Sequence, residues 1–235
     1  MIESLVPAGS SYAGEIDLLV NLILWVVGFW FVLCEVVFFW LIFRFRKKEG
    51  VPGQYISGEE KSQKRWITIP HVLVLVCDIF ILVGAIWVWY DIKQDLPPAQ
   101  AEVRIISQQW AWTFVHEGAD GELGTADDIT TINELTVQVD TLYHYKLESL
   151  DVIHDFSVPV WRLKQDAIPG RLITGWFEPT LTGSFDIQCA ELCGVGHALM
   201  GGTVHVKNAA DYASWVAENS TMSLASAATP HAGGE

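Results

Sequence analysis

The sequence predicts a membrane-anchored all-β protein, with an N-terminal hairpin of two transmembrane helices followed by an exported β-sandwich or barrel. Three observations predict it. Hydrophobic residues make up 51% of the 235 positions, and the excess over an ordinary soluble domain is gathered into two uninterrupted stretches. The short loop between those stretches holds seven of the chain's 14 basic residues. Beyond residue 95, short runs of alternating apolar and polar residues are punctuated by Gly, Pro and Asp, the rhythm of strands joined by tight turns.

The first stretch, residues 18–43, reads LLVNLILWVVGFWFVLCEVVFFWLIF, and the second, residues 67–90, reads ITIPHVLVLVCDIFILVGAIWVWY. Both exceed the ~20 residues that carry a helix across a bilayer. Glu3, Glu15 and Asp17 precede the first, where a cleavable signal would carry positive charge, so this helix is expected to stay attached. Between the two, residues 44–66 include Arg44, Arg46, Lys47, Lys48, Lys61, Lys64 and Arg65. A loop this basic is expected on the cytoplasmic side, which puts both termini outside. Trp40 and Trp66 near one interface, and Trp87, Trp89 and Tyr90 near the other, suit the aromatic belts of a membrane protein. The expected division is a short exported segment over 1–15, the hairpin over 16–95, a β domain over 96–218 and a disordered tail over 219–235.

From Asp91 onward, 20 acidic residues stand against 7 basic ones. A balance of −13 in the exported part repels nucleic acid and favours a cationic partner, beyond keeping the surface soluble. LPPAQ at 96–100 ends the second helix, because proline cannot continue it. The runs EVRIISQQWAWTFVH, ELTVQVDTLYHYKLES, VIHDFSVPVW, GRLITGWFEPT, GSFDIQ and GGTVHVK read as strands of an antiparallel sandwich or barrel. Trp110, Trp112 and Phe114 alternate, which places them on one strand face. NAADYASWVAENS reads as a closing helix capped by Asn208.

Chemistry concentrates in CAELCGVGHALM, residues 189–200. Cys34 and Cys77 lie inside the apolar helices and read as packing residues. Cys189 and Cys193 lie in the exported domain, where a disulfide or a metal site are the two alternatives. Cys-x3-Cys-x3-His-x2-Met lacks the second distant ligand pair of a structural zinc site, and a thioether ligand favours copper. DVIHDFSVP supplies a further donor, His154, from a separate strand. His116, His144, His205 and His231 lie outside this pattern and are assigned no metal.

The series VIHDFSVP, LKQDAIPGRL and CAELCGVGHALM, preceded by QQWAW and a transmembrane hairpin, closely resembles subunit II of the haem-copper cytochrome c oxidases. The resemblance covers nearly the whole chain and implies a cupredoxin-like domain carrying the dinuclear copper A centre. It implies that Cys189 and Cys193 bridge both coppers, that His154 and Met200 complete one copper, and that His197 and the Glu191 backbone carbonyl complete the other. The Glu191 side chain would help hold magnesium at the contact with the catalytic subunit, as a hard oxygen ligand suits a hard cation. Trp110 would receive electrons from a c-type cytochrome, and haem in oxidase subunit I would take them on for proton-pumping reduction of oxygen. The chain itself would hold no haem, since it contains no Cys-x-x-Cys-His. Its expected location is the bacterial inner (plasma) membrane, with the copper domain and both termini on the periplasmic side.

At three places the chain departs from the family pattern. Ala111 stands where many relatives carry a second aromatic. Gln63 stands where relatives often have the glutamate of a proton path, leaving Glu59 and Glu60 as candidates for proton uptake. Glu35 and Asp78 lie within the spans, where an ionisable group raises a functional hypothesis; pairing with a polar group on the larger subunit is the simpler expectation. HEGADGELGTADDITTINEL is an insertion that reads as a solvated hairpin tip and a candidate for calcium or partner contact. Among rival readings, nitrous oxide reductase shares the copper motif without the hairpin, a copper chaperone keeps an open site, and quinol oxidase subunits lack the copper ligands.

Overall fold

The structure, a computed structural model, describes residues 4–53 and 55–227. It comprises two compact units, one of Glu15–Tyr90 and one that joins Met1–Gly14 to Asp91–Glu235.

The first unit is helical. Helix α1 (Ala13–Phe45) and helix α2 (Lys61–Trp89) have 33 and 29 residues, about 50 and 44 Å at ~1.5 Å per residue, more than the ~30 Å hydrocarbon core. Each therefore carries its apolar run with turns to spare. Both present exposed Leu, Val, Ile and Phe side chains around most of their circumference, as a helix solvated by lipid does. Where they meet, the Trp30 indole N–H points at Cys77 Sγ, 3.5 Å away. A Cβ at Gly84 would stand 3.4 Å from Leu19 Cδ1, so a small residue lets the helices approach.

The second unit is a two-layer sandwich. Its strands are β1 (Ala101–Gln108), β2 (Ala111–His116), β3 (Ile129–Ile132), β4 (Glu134–Gln138), β5 (Tyr143–Ser149), β6 (His154–Val158), β7 (Leu163–Ala167), β8 (Ile173–Phe177), β9 (Gly183–Cys189) and β10 (Gly201–Lys207). One sheet has the order β3-β2-β1-β5-β8 and the other β4-β10-β9-β6-β7. The sheets are not purely antiparallel, contrary to expectation: β1 pairs with β5, and β4 with β10, in parallel. The excursion through β2, β3 and β4 supplies the long crossover that a parallel neighbour requires.

Alternation along the strands builds the core. Trp112 and Phe114 of β2 are fully buried and both pack edge-on against Phe156 of β6, while Trp161 stacks on Phe177 at 4.4 Å. Such pairs add to the apolar area they bury. Trp110 does not share that face. It occupies the turn between β1 and β2 and is 41% exposed, because the chain reverses at Gln109 and Trp110, which breaks the two-residue period before Trp112.

The segment before α1 is a packed part of this unit. Gly9 N donates to Val160 O, Ser11 N donates to Glu178 O, and Ser10 Oγ donates to Trp161 O at 2.7 Å. Tyr12 meets Trp176 edge-on at 5.0 Å. At the other end helix α3 (Ala209–Ala227) starts at Asn208, whose Oδ1 accepts Asp211 N at 2.9 Å. It continues past residue 219, into the segment expected to be a tail, where no Gly or Pro interrupts residues 219–227; residues 228–235 lie outside the described residues. In the β2–β3 insertion the acidic side chains serve the loop's own turns. Asp120, Asp127 and Asp128 accept the amides of Glu122, Asp120 and Gly124.

Candidate metal centre

Three strand ends converge on the ligand loop. Strand β6 opens with His154, β9 closes with Cys189, and Met200 immediately precedes β10. Cys189 N donates to Met200 O at 3.1 Å, closing the base of the loop, and Ala190 N donates to Asp155 O at 3.1 Å, drawing β6 alongside. Within the loop Gly194 adopts φ +120°, a conformation that other residues rarely reach, and a short 3-10 turn over His197–Leu199 carries His197 back towards Cys193.

The soft donor atoms face one another. Cys189 Sγ and Cys193 Sγ are 3.7 Å apart and neither is in a disulfide. Cys193 Sγ lies 3.6 Å from His197 Nδ1 and 3.8 Å from Met200 Sδ. Cys189 Sγ lies 3.3 Å from the Glu191 carbonyl oxygen and 3.9 Å from His154 Nδ1, and His154 Nδ1 is 3.1 Å from Met200 Sδ. All six residues singled out in the sequence are thus brought together, Glu191 through its backbone while its side chain is exposed. Among the described residues, His154, Cys189 and Cys193 form the one grouping of three such ligand atoms within 4.8 Å of one another.

These residues fit a thiolate-bridged copper pair on chemical grounds. Two thiolates ~2.3 Å from one tetrahedral ion would lie ~3.7 Å apart, the separation seen here. Burial, together with the hydrogen bond shared with Cys189, pushes the Cys193 thiol up to about 11, so a metal must displace its proton. His154 is set in the ligating tautomer. Its Nε2 lies 2.8 Å from Asp151 Oδ1, an acceptor, so Nε2 carries the proton and the Nδ1 lone pair faces the sulfur atoms. Burial works against charge on Asp151, yet hydrogen bonds from His154, Gln109 and Val152 hold its carboxyl below the ordinary range.

Sequence reasoning singled out neither Asp151 nor Gln109. Asp151 Oδ2 also accepts Gln109 N at 2.7 Å, and Gln109 Nε2 donates to the Cys193 carbonyl at 2.8 Å. The turn that carries Trp110 is therefore fastened to both ligand elements. Their positions beside the motif, three residues before His154 and one before Trp110, were the available signal. Asp155, 3% exposed, faces Asp166 across β6 and β7; burial, then the hydrogen bond shared with Asp166, pushes its carboxyl up to about 6. Glu59 and Glu60 are exposed in the helical unit's loop, and Gln63 Oε1 accepts Gly58 N at 2.8 Å.

Comparison with known proteins places this architecture. The family model described as cytochrome c oxidase subunit II, periplasmic domain, matches residues 101–207. The alternative cytochrome c oxidase subunit 2 of Bradyrhizobium diazoefficiens is 32% identical over 89% of this chain and 82% of its own length. Cytochrome c oxidase subunit 2 of Cereibacter sphaeroides is 28% identical over 95% of this chain and 84% of its own. Among solved structures, the periplasmic domain of subunit II of cytochrome oxidase (CoxB) of Bradyrhizobium japonicum is 29% identical, with a TM-score of 0.49 over 55% of this chain and 99% of that one. The two relatives are matched across helices and sandwich alike, and the chain belongs to the cytochrome c oxidase subunit II family.

Proposed function

We propose that this chain is the electron-input subunit of a respiratory terminal oxidase, holding a dinuclear copper A centre at His154, Cys189, Glu191, Cys193, His197 and Met200. The observation that carries the reading is the pair of free thiols 3.7 Å apart, ringed by two imidazoles, a thioether and a carbonyl oxygen. Bound there, two thiolate-bridged coppers would supply a carrier that takes up and releases one electron at a time. The protein's part is to hold the donors still. The base of the loop is pinned by the backbone bond between Cys189 and Met200, Asp151 fixes the His154 ring, and the side chains of His154, Cys193 and Met200 are almost wholly buried, which excludes water. Donors fixed in this way need little rearrangement when the charge of the site changes.

Trp110 is the proposed point of electron arrival. Its ring lies on the ligand loop, with its atoms close to Gly194 and Gly196, and its outer side reaches solvent. A c-type cytochrome is the proposed donor and haem in oxidase subunit I the acceptor, where oxygen reduction is coupled to proton pumping. Magnesium at the Glu191 carboxylate and proton uptake through Glu59 or Glu60 belong to the same proposal. So does the orientation, with the sandwich and both termini outside. It is supported by the basic loop and by the packing of Gly9–Tyr12 on the β unit.

Metal analysis of the full-length chain tests the reading. Two coppers per chain and a multi-line spin-resonance spectrum are expected, with the spectrum lost in Cys193→Ser and altered but present in Met200→Leu. One tightly held zinc with no copper uptake, or a disulfide between Cys189 and Cys193 in the assembled complex, would end the proposal.

A further inference from the structure

Among the described residues no hydrogen bond reaches the Trp110 indole nitrogen, and the ring is partly exposed, so packing alone would have to hold it. The residue before it, Gln109, is fastened by both its backbone and its side chain. Its backbone N–H donates to Asp151 Oδ2 at 2.7 Å, and Asp151 Oδ1 lies 2.8 Å from His154 Nε2. Its side-chain Nε2 donates to the Cys193 carbonyl at 2.8 Å. A carbonyl oxygen only accepts, so the amide must turn its nitrogen to the loop. Two glycines of the loop receive these two consecutive side chains. A Cβ at Gly194 would stand 2.9 Å from Gln109 Nε2, and one at Gly196 would stand 2.7 Å from Trp110 Cγ. Turn and loop therefore fit as a pair, and Gln109 supplies the side-chain hydrogen bond between them.

We propose that Gln109 is a positioning residue for electron entry: its amide, bonded to the Cys193 carbonyl, sets the distance between the Trp110 indole and the ligand loop. The inference rests on the electron-input reading above and adds a residue that the reading does not use. Gln109 itself exchanges no electron. One electron leaves the ferrous haem of the donor, passes by way of the indole and arrives at the copper pair, with no proton moved and no bond made or broken. Two connections suit Gln109 to the task. It adjoins Trp110 in the chain, so a shift of its backbone carries the indole with it. It also touches Cys193 directly and His154 through Asp151, so the entry turn is held in register with ligands from two separate segments.

A double-mutant cycle in the assembled oxidase tests this. Gln109→Met keeps the length of the side chain and removes the donor, whereas Gln109→Glu sets an acceptor against the Cys193 carbonyl. With a reduced cationic c-type cytochrome as the electron source, first-order transfer within the complex should slow about fivefold in Gln109→Met, as small displacements of reacting groups do. It should slow at least as much in Gln109→Glu. Copper per chain and the second-order association rate should stay parental in Gln109→Met. In a Trp110→Phe background Gln109→Met should cause no further slowing, because a residue that acts through the indole loses its effect with it. A parental first-order rate in both Gln109 variants overturns the proposal. So does slowing that multiplies with that of Trp110→Phe, which would give Gln109 a route of its own. Nitrogen-15 labelling of tryptophan in the full-length chain supplies a readout free of metal. The Trp110 indole resonance, identified by its loss in Trp110→Phe, should shift or broaden in Gln109→Met, and an unchanged resonance also overturns the proposal. A parent that binds no copper would sink the electron-input reading, while the resonance would still decide whether Gln109 seats the indole.

Discussion

Gly196 is a glycine because Trp110 fills the space a side chain would need. A Cβ there would stand 2.4 Å from Trp110 Cδ2 and 2.7 Å from Cγ, closer than non-bonded carbon atoms come, and the indole is rigid. Gly194 is constrained twice over, by its positive φ and by Gln109 Nε2, 2.9 Å from where its Cβ would be. The prediction is that Gly196→Ala displaces the indole, keeps both coppers, and slows electron arrival by about tenfold or more, as small misplacements of reacting groups do. Stopped-flow reduction beside metal analysis decides it; a parental rate would show that the indole's seat is immaterial. The convergence of the six residues could be anticipated from sequence because five lie within twelve consecutive residues and the loop's own chain confines them. Asp151 and Gln109 could not, since a hydrogen bond between residues 42 apart leaves no periodic trace. Trp110 was placed on the wrong surface for a related reason: the alternation W-A-W-T-F runs unbroken through a turn.

At the level of elements, helix α3 acts as a lid on the sandwich edge. Trp215 meets His116 edge-on at 5.0 Å, and the buried His116 Nε2 lies 3.2 Å from Thr131 Oγ1. The Thr131 hydroxyl already donates to the Glu134 carbonyl, so Nε2 is the donor to Thr131. Desolvation pulls its pKa from 6.5 down to about 3. The sign follows from linkage: below pH 6.5 the unfolded chain takes up a proton that the folded chain refuses, so stability falls with pH, by ~1.4 kcal/mol per unit. Near pH 5 the loss should be about 2 kcal/mol. It should appear as faster hydrogen exchange of the β2 and β3 amides in the full chain, and it should vanish in His116→Phe. Trp215→Ala should weaken the same strands by roughly 2 kcal/mol at neutral pH without loss of copper. An acid response unchanged in His116→Phe would assign it to other groups. The strands themselves were legible from their two-residue period. That β1 and β5 run parallel was not, because sheet order is set by crossovers that local pattern does not encode, and the helical run past residue 219 was hidden by a composition that suits coil and helix equally.

Across the whole molecule, charge and surface chemistry would divide the work of meeting the proposed donor. The two-helix hairpin was readable from hydropathy, since that is the quantity a bilayer responds to. The balance of −13 from Asp91 onward was equally plain, but sequence did not show that the ligand loop presents apolar side chains to solvent. Leu192 and Leu199 are largely exposed and Val195, between the two glycines that touch Trp110, is 100% exposed. A distributed negative field draws a cationic cytochrome from a distance and is screened over ~10 Å at 0.1 M salt, whereas contact with an apolar face is short-ranged and insensitive to salt. The expected outcome is therefore a split. Second-order reduction of the copper site by an added cationic cytochrome should slow steeply between low and high ionic strength, while first-order transfer inside the formed complex should hardly change. Val195→Lys should weaken docking at high salt, where the apolar contact carries it, and leave two coppers bound. Trp110→Phe should do the reverse, leaving docking intact and slowing the first-order step. A stopped-flow series over ionic strength with both variants separates these cases: a second-order rate indifferent to salt removes the diffusing cationic donor and points to a haem domain already tethered beside the site, and a first-order rate unchanged in Trp110→Phe removes Trp110 from the route.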